Sequence, residues 1–241
     1  MKRLLALSIA AIATITVAAQ SLNVGSYNIR MHSKVDYKTG NGWTERRDIM
    51  CDLVAFTAFD IFGAQEVCHD QLQYMLERLP EYDYIGVARD DGKTKGEYSP
   101  VFYRRDRFVL LDSGTFWLSE TPDEVSKGWD GQCRRTCTWT IMKMKSTGEK
   151  FAYFNTHLDH RGKVVQEEGM KTIVAKIKEL VPENIPVFLS GDFNIRADSP
   201  HFEAVKPMMA DSRELAAETD YRGTYTGFRV RENPVVVDHI F

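Results

Sequence analysis

The stretch FAYFNTHLDHRGKVVQEEGMKTIVAKIKELVPENIPVFLSGDFN, residues 151–194, decides the fold class. It opens with an apolar, aromatic run of strand length at 151–156 and closes with a second at 186–190. Between them, Met170, Ile173, Val174, Ile177 and Leu180 recur at spacings of three and four, with Lys and Glu interleaved. That is one apolar stripe on a helix spanning 163–180. Outward from this core, the same reading gives strands at 22–29, 60–65, 82–88, 101–104, 108–111, 135–144 and 234–241. Further helices are expected at 44–58, where Thr44 and Glu45 suit a helix start, and at 69–79. A doubly wound sheet would alternate strands and helices more evenly. The expected α/β architecture is therefore two packed sheets with helices outside.

The chain begins with Lys2 and Arg3, an apolar run from Leu4 to Val17, then Ala18 and Ala19. This is the order of a secretory signal peptide, and the run is shorter than the ~20 residues a membrane-crossing helix needs. Residues 1–19 are expected to be removed on export to the periplasm or outside the cell, leaving 20–241 as one monomeric domain with no stable membrane anchor. The formal net charge is −3, with 31 basic and 34 acidic residues, which argues against a protein that coats nucleic acid. Cys51, Cys68, Cys133 and Cys137 could pair in an oxidising compartment, in any of the ~3 ways that four cysteines allow.

Chemistry-bearing residues recur where these strands end. Asn28, Glu66 and His157 follow three of them, Asp192 and Asn194 follow a fourth, and Asp238 follows the apolar run at 234–237. Polar residues commonly follow strands because turns need them, but Glu66 and His157 are poor turn formers. Glu66 and Asn28 offer hard oxygen ligands, which suit magnesium or manganese better than zinc. Such a cation neutralises charge gathering on a phosphate and positions it for attack by water.

The blocks SYNIR (26–30), GAQE (63–66), NTHLDH (155–160) and GDFN (191–194) resemble, in order, the signatures of the endonuclease/exonuclease/phosphatase superfamily, which has the deoxyribonuclease-like fold. FYRRDRF (102–108), GTFWLSETP (114–122) and RRTCTW (134–139) resemble its small exported bacterial members, which are similar to deadenylase-like exonucleases. The resemblance implies a four-layer αββα sandwich of two mixed sheets. It implies phosphodiester hydrolysis with Mg2+, or Mn2+, on a nucleotide or nucleic-acid substrate, with phosphorylated sugars, inositols or lipid head groups as the alternative. Glu66 becomes the main metal ligand and Asn28 its neighbour at metal or phosphate. His157 becomes a donor to a phosphate oxygen, while Asp192 and Asn194 orient water and phosphate. Asp238, in VDHIF (237–241), becomes the residue that orients a catalytic histidine, and Arg135 a phosphate contact. The family's later Asp-His block is not found before Phe241, so a missing last strand is expected, and His239 is read as part of the earlier strand.

Two other readings compete. Asn155, His157, Asp159 and His160 partly match a binuclear zinc motif, but Asn155 replaces its first histidine; Asp159 and His160 are instead expected in a polar loop. A non-catalytic binding protein on the same sandwich could use Trp117, Trp129 and Trp139 as a ligand surface.

Overall fold

The computed structural model describes residues 21–220, 222–229 and 235–241; the leader read at 1–19 lies outside the described residues. Among the described residues, β1 (Val24–Asn28), β2 (Ile61–Gln65), β3 (Tyr82–Ile85) and β4 (Val101–Arg104) form a mixed sheet in the order β1-β2-β4-β3. A second mixed sheet runs β5-β6-β7-β8-β9, from β5 (Phe108–Trp117), β6 (Thr136–Met144), β7 (Lys150–His157), β8 (Val187–Asp192) and β9 (Asp238–Ile240).

Strand alternation builds the layers. Along β4, Val101 and Tyr103 face the other sheet and pack with Ile61, Met142, Phe151 and Tyr153. Phe102 faces the opposite way, toward Val54 of α1 (Trp43–Thr57) and Leu72 and Met75 of α2 (His69–Arg78). Along β7, Phe151 and Tyr153 point between the sheets, whereas Ala152 and Phe154 meet Ile173 and Ile177 of α3 (Lys163–Leu180). The result is the αββα sandwich that the sequence implied.

A buried polar clasp joins the sheets beneath the chemistry-bearing strand ends. The Asn155 amide donates to Ala64 O at 2.8 Å and Pro100 O at 2.9 Å, and accepts from the Gln65 amide at 2.7 Å. Tyr153 donates to Gly25 O at 2.6 Å and accepts from Gly63 N–H at 2.9 Å. Gly63 is required here, since a Cβ would lie 2.2 Å from Asn155 Oδ1. The "first histidine" position of the zinc motif thus holds a structural carboxamide.

Several boundaries differ from expectation. β5 continues to Trp117 because a register shift between Leu110 and Asp112 absorbs the polar DSG segment, which reads as a turn. β9 covers only Asp238–Ile240: the Val237 and Asp238 N–H groups donate to Thr224 Oγ1 instead of a neighbouring strand, and residue 234 lies outside the described residues. α1 starts at Trp43, one residue early, because the Glu45 carboxylate accepts the Gly42 N–H and closes the first turn. Two short 3-10 helices, Asp36–Thr39 and Pro200–Ala204, and the four-residue α4 (Ser212–Leu215) carry no helical periodicity in sequence. Cys51, Cys68, Cys133 and Cys137, which an oxidising compartment would permit to pair, are free thiols in this structure.

Candidate functional site

Parallel pairing explains why distant residues meet. β1 lies parallel to β2 with Asn28 opposite Gln65, so Asn28 and Glu66 emerge at one edge. β7 lies parallel to β8 with His157 opposite Asp192. Antiparallel β9 begins at that same edge, with Asp238 opposite Asp192. The structure therefore brings Asn28, Glu66, His157, Asp192, Asn194 and Asp238 together.

The turns leaving these strands are held in an uncommon backbone conformation. Arg30, Glu66 and Asn194 have φ of 61°, 60° and 50°, a region that costs a non-glycine residue energy and that clusters at functional sites. Arg46 donates to the carbonyls of Ile29, Arg30 and Met31, and so fixes the first of these turns.

Asn28 acts as a bridge. Its Nδ2 donates to Glu66 Oε1 at 3.1 Å and to Asp192 Oδ2 at 2.9 Å, while its Oδ1 accepts the Arg30 N–H at 2.9 Å. The amide thus turns its NH2, not its oxygen, toward the carboxylates, a departure from the ligand role expected for it. Glu66 Oε2 accepts the Met31 N–H at 3.0 Å and lies 3.6 Å from Arg30 Nη1.

Carboxylate crowding dominates the electrostatics. Burial raises the Asp192 pKa, and Glu66 adds to the rise against the pull of hydrogen bonds from Asn28 and Asn194. Burial and then the Asp192 charge push Asp238 up to about 7. Asp238 Oδ1 is buried without a hydrogen-bond partner, and the histidine that Asp238 was expected to orient belongs to the block not found before Phe241. His239 faces away, with Nδ1 2.6 Å from Asp211 Oδ2 and its ring against Phe193, Phe202 and Phe241, as its strand reading implied.

The donor set fits a hard divalent cation: three carboxylates with raised mutual repulsion and one orphaned oxygen. Among the described residues no three His, Cys, Asp or Glu side chains close into a ready-made cage. A divalent cation would here be held by one or two carboxylates, with water and substrate phosphate completing its shell. Glu66, Asp192 and Asp238 are the residues positioned to hold it.

On the other flank, His157 Nε2 accepts from the Asn194 amide at 3.0 Å, which leaves the ring proton on Nδ1. Burial, then the charges of Arg135, Arg89 and His160, depress its pKa well below the usual value, so the ring is neutral. Its Nδ1 lies 3.9 Å from Glu97, which takes a two-point ion pair from Arg89 at 2.8 and 2.9 Å. Arg135 is buried, not solvated as an arginine beside a strand usually is. It donates from Nη2 to His160 Nδ1 at 3.2 Å, and its Nε and Nη1 have no hydrogen-bond partner. Such orphaned donors are costly unless something else occupies them.

Asp159 is not in a solvated loop either: its carboxylate accepts the N–H groups of Gln132, Cys133, Arg161 and Gly162. The three tryptophans do not share a surface: Trp117 and Trp139 are buried, and Trp139 stacks on Phe154. Sequence reasoning missed Arg89 and Glu97. They lie in ARDDGKTKGEYSP (88–100), where dense charge and turn residues imitate a solvated loop and no local signal marks them.

A model described as "Endonuclease/Exonuclease/phosphatase family" matches residues 25–241. A solved Bacteroides thetaiotaomicron protein of that family is 44% identical, with TM-score 0.88, over 91% of this chain and 82% of its own. The mannosyl-6-phosphatase of B. thetaiotaomicron VPI-5482 is 43% identical, with TM-score 0.86, over 92% of this chain and 85% of its own. The human Nocturnin catalytic domain is 18% identical with TM-score 0.71, covering 91% of this chain and 80% of its own, a likeness of fold alone.

Proposed function

The chain belongs to the endonuclease/exonuclease/phosphatase family of hydrolases, and from that premise we propose that it is an exported Mg2+- or Mn2+-dependent phosphatase of phosphorylated sugars. One observation carries the choice of ester: crowded carboxylates on one side of neutral His157 and, on the other, the buried Arg135 guanidinium, whose Nε and Nη1 have no hydrogen-bond partner. A monoester dianion draws on more positive charge around its free oxygens than a diester, and Arg135, whose ion pair with Asp159 at 3.7 Å is too long for a hydrogen bond, keeps donors to offer it. The acidic net charge lacks the phosphate-neutralising excess that nucleic-acid binding draws on. Similarity to the mannosyl-6-phosphatase supports the same choice, which reverses the preference for nucleic acid implied by motifs alone. Export rests on the leader-like residues 1–19.

The reaction uses these residues in fixed places. A bound divalent cation, held by Glu66 with Asp192 or Asp238, supplies charge neutralisation at the phosphate oxygens. Asn28 keeps Glu66 and Asp192 at hydrogen-bonding distance from a single amide, which preserves their spacing. Asp192 and Asn194 orient the attacking water, and Asp192, with its raised pKa, accepts its proton. The water oxygen forms the new P–O bond as the ester P–O bond breaks, and the departing alkoxide takes a proton from solvent. His157 Nδ1–H and the free Arg135 donors hold non-bridging oxygens as charge builds on them.

The test is phosphate release from mannose 6-phosphate with Mg2+ or Mn2+, against EDTA, beside bis(p-nitrophenyl) phosphate and single-stranded DNA. Cation-dependent release with the sugar ester preferred supports the proposal. Faster cleavage of the diesters, or release unaffected by EDTA, overturns it.

A further inference from the structure

The segment 86–100 is a rigid arm beside the cationic flank. Arg89 N–H donates to Glu97 O, Asp90 N–H to Lys95 O and Ala88 N–H to Lys93 O, while the Asp91 carboxylate accepts the N–H groups of Lys93 and Lys95. The arm is also pinned by the Trp117 indole, which donates to Arg89 O at 2.8 Å. Arg89 reaches inward to Glu97, which in turn lies 3.9 Å from His157 Nδ1. The next residue, Asp90, presents its carboxylate to Arg134, which precedes Arg135.

Asp90 Oδ1 and Arg134 Nη1 are 3.7 Å apart, too far for a hydrogen bond. Arg134 Nε is buried without a partner, and both side chains remain partly open to solvent, at 33% and 42%. The Asp90 carboxylate packs over Gly96, at φ +91°, where a Cβ would come within 2.5 Å of Asp90 Oδ2, so only glycine leaves room for it in this position. An acceptor and a fork of donors, held apart by slightly more than one hydrogen bond, fit a group that both donates and accepts. A sugar hydroxyl does both, and a vicinal pair of hydroxyls meets a carboxylate and a guanidinium at once.

We infer that Asp90 and Arg134 form the recognition pair for hydroxyls of the ester's organic group and select a polyhydroxylated leaving group over an aryl or alkyl one. This rests on the phosphatase reading and extends it from the phosphate to the alcohol. A pair placed to hydrogen-bond a hydroxyl discriminates against an analogue lacking it, most through the buried, unpartnered Arg134 Nε, while the solvent-open ends of both side chains hold the discrimination to a moderate factor.

The experiment compares kcat/KM for mannose 6-phosphate and p-nitrophenyl phosphate in the full chain and in Asp90→Ala, Arg134→Ala and Asp90→Asn. The ratio of the two values should fall about ten- to a hundredfold in either alanine variant, chiefly through KM for the sugar ester, and less in Asp90→Asn. An equal loss on both esters, accompanied by lower thermal stability, would mean that the pair is only a tether for the arm and overturns the inference. So would an unchanged ratio. Calorimetric binding, with Ca2+ replacing Mg2+ to slow turnover, compares mannose 6-phosphate with inorganic phosphate. A tenfold advantage for the sugar ester that disappears in Asp90→Ala supports the inference even if wild type hydrolyses neither ester, an outcome that would sink the phosphatase reading alone. No advantage in wild type overturns the inference.

Discussion

Replacing Asp238 with Asn should stabilise the metal-free protein at alkaline pH. Asp238 is buried beside Asp192, and its pKa rises from 3.8 to about 7. Ionising it in the folded state is therefore unfavourable relative to the unfolded chain. At ~1.36 kcal/mol per unit, the rise corresponds to about 4 kcal/mol above pH 7. The carboxylate keeps some solvent contact and shares its charge with Asp192, so about 2 kcal/mol is the figure to expect. The cost is complete above the folded pKa, shrinks as pH falls, and vanishes below 3.8. Melting in EDTA should show Asp238→Asn above wild type by roughly 4–8 °C at pH 8, given ~2–4 °C per kcal/mol for a domain of this size. The gap should narrow to less than half at pH 5. Taking the difference between variant and wild type cancels the other titrating groups. Adding Mg2+ at pH 8 should raise the wild type more than the variant, because the cation relieves the same repulsion. A variant that melts below wild type at pH 8 in EDTA would refute this picture of crowded carboxylates.

Other outcomes follow from the same geometry. Glu66→Gln should cut turnover about a hundredfold or more and shift the Mg2+ activation curve to higher concentration; an unchanged titration would remove Glu66 from the metal. His157→Ala and Asp192→Asn should each lower kcat about a hundredfold, the scale of lost proton-transfer or oxyanion-stabilising groups, and losses below about tenfold would displace them from the site. Asn155→Ala removes three buried hydrogen bonds between the sheets, to the Ala64 and Pro100 carbonyls and from the Gln65 amide, so urea unfolding should register a loss of about 2–4 kcal/mol. A loss below about 1 kcal/mol would mean that water replaces the clasp.

Much of this molecule was legible because its chemistry sits where periodic elements stop. The apolar stripe of α3 read directly, because burial on one face leaves a period in the sequence, and β4 and β7 read as apolar runs because both their faces are buried. Glu66 and His157 stood out as poor turn formers after apolar runs. The amide orientation of Asn28 was not legible, since it depends on the Arg30 N–H in a left-handed turn. The burial of Arg135 was hidden too, because the partners that enclose it come from segment 86–100 and from Asp159, far away in the chain. Glu97 and Arg89 acquire meaning only once the arm folds over His157.

The most direct measurement is an anomalous-scattering map from crystals soaked in Mn2+. A peak is expected beside Glu66 and in reach of Asp192 or Asp238, at about 2.0–2.2 Å from a carboxylate oxygen, and it should be lost in Glu66→Gln. A peak seated instead on the Arg135–His160 flank, or one that survives Glu66→Gln unchanged, would contradict that expectation.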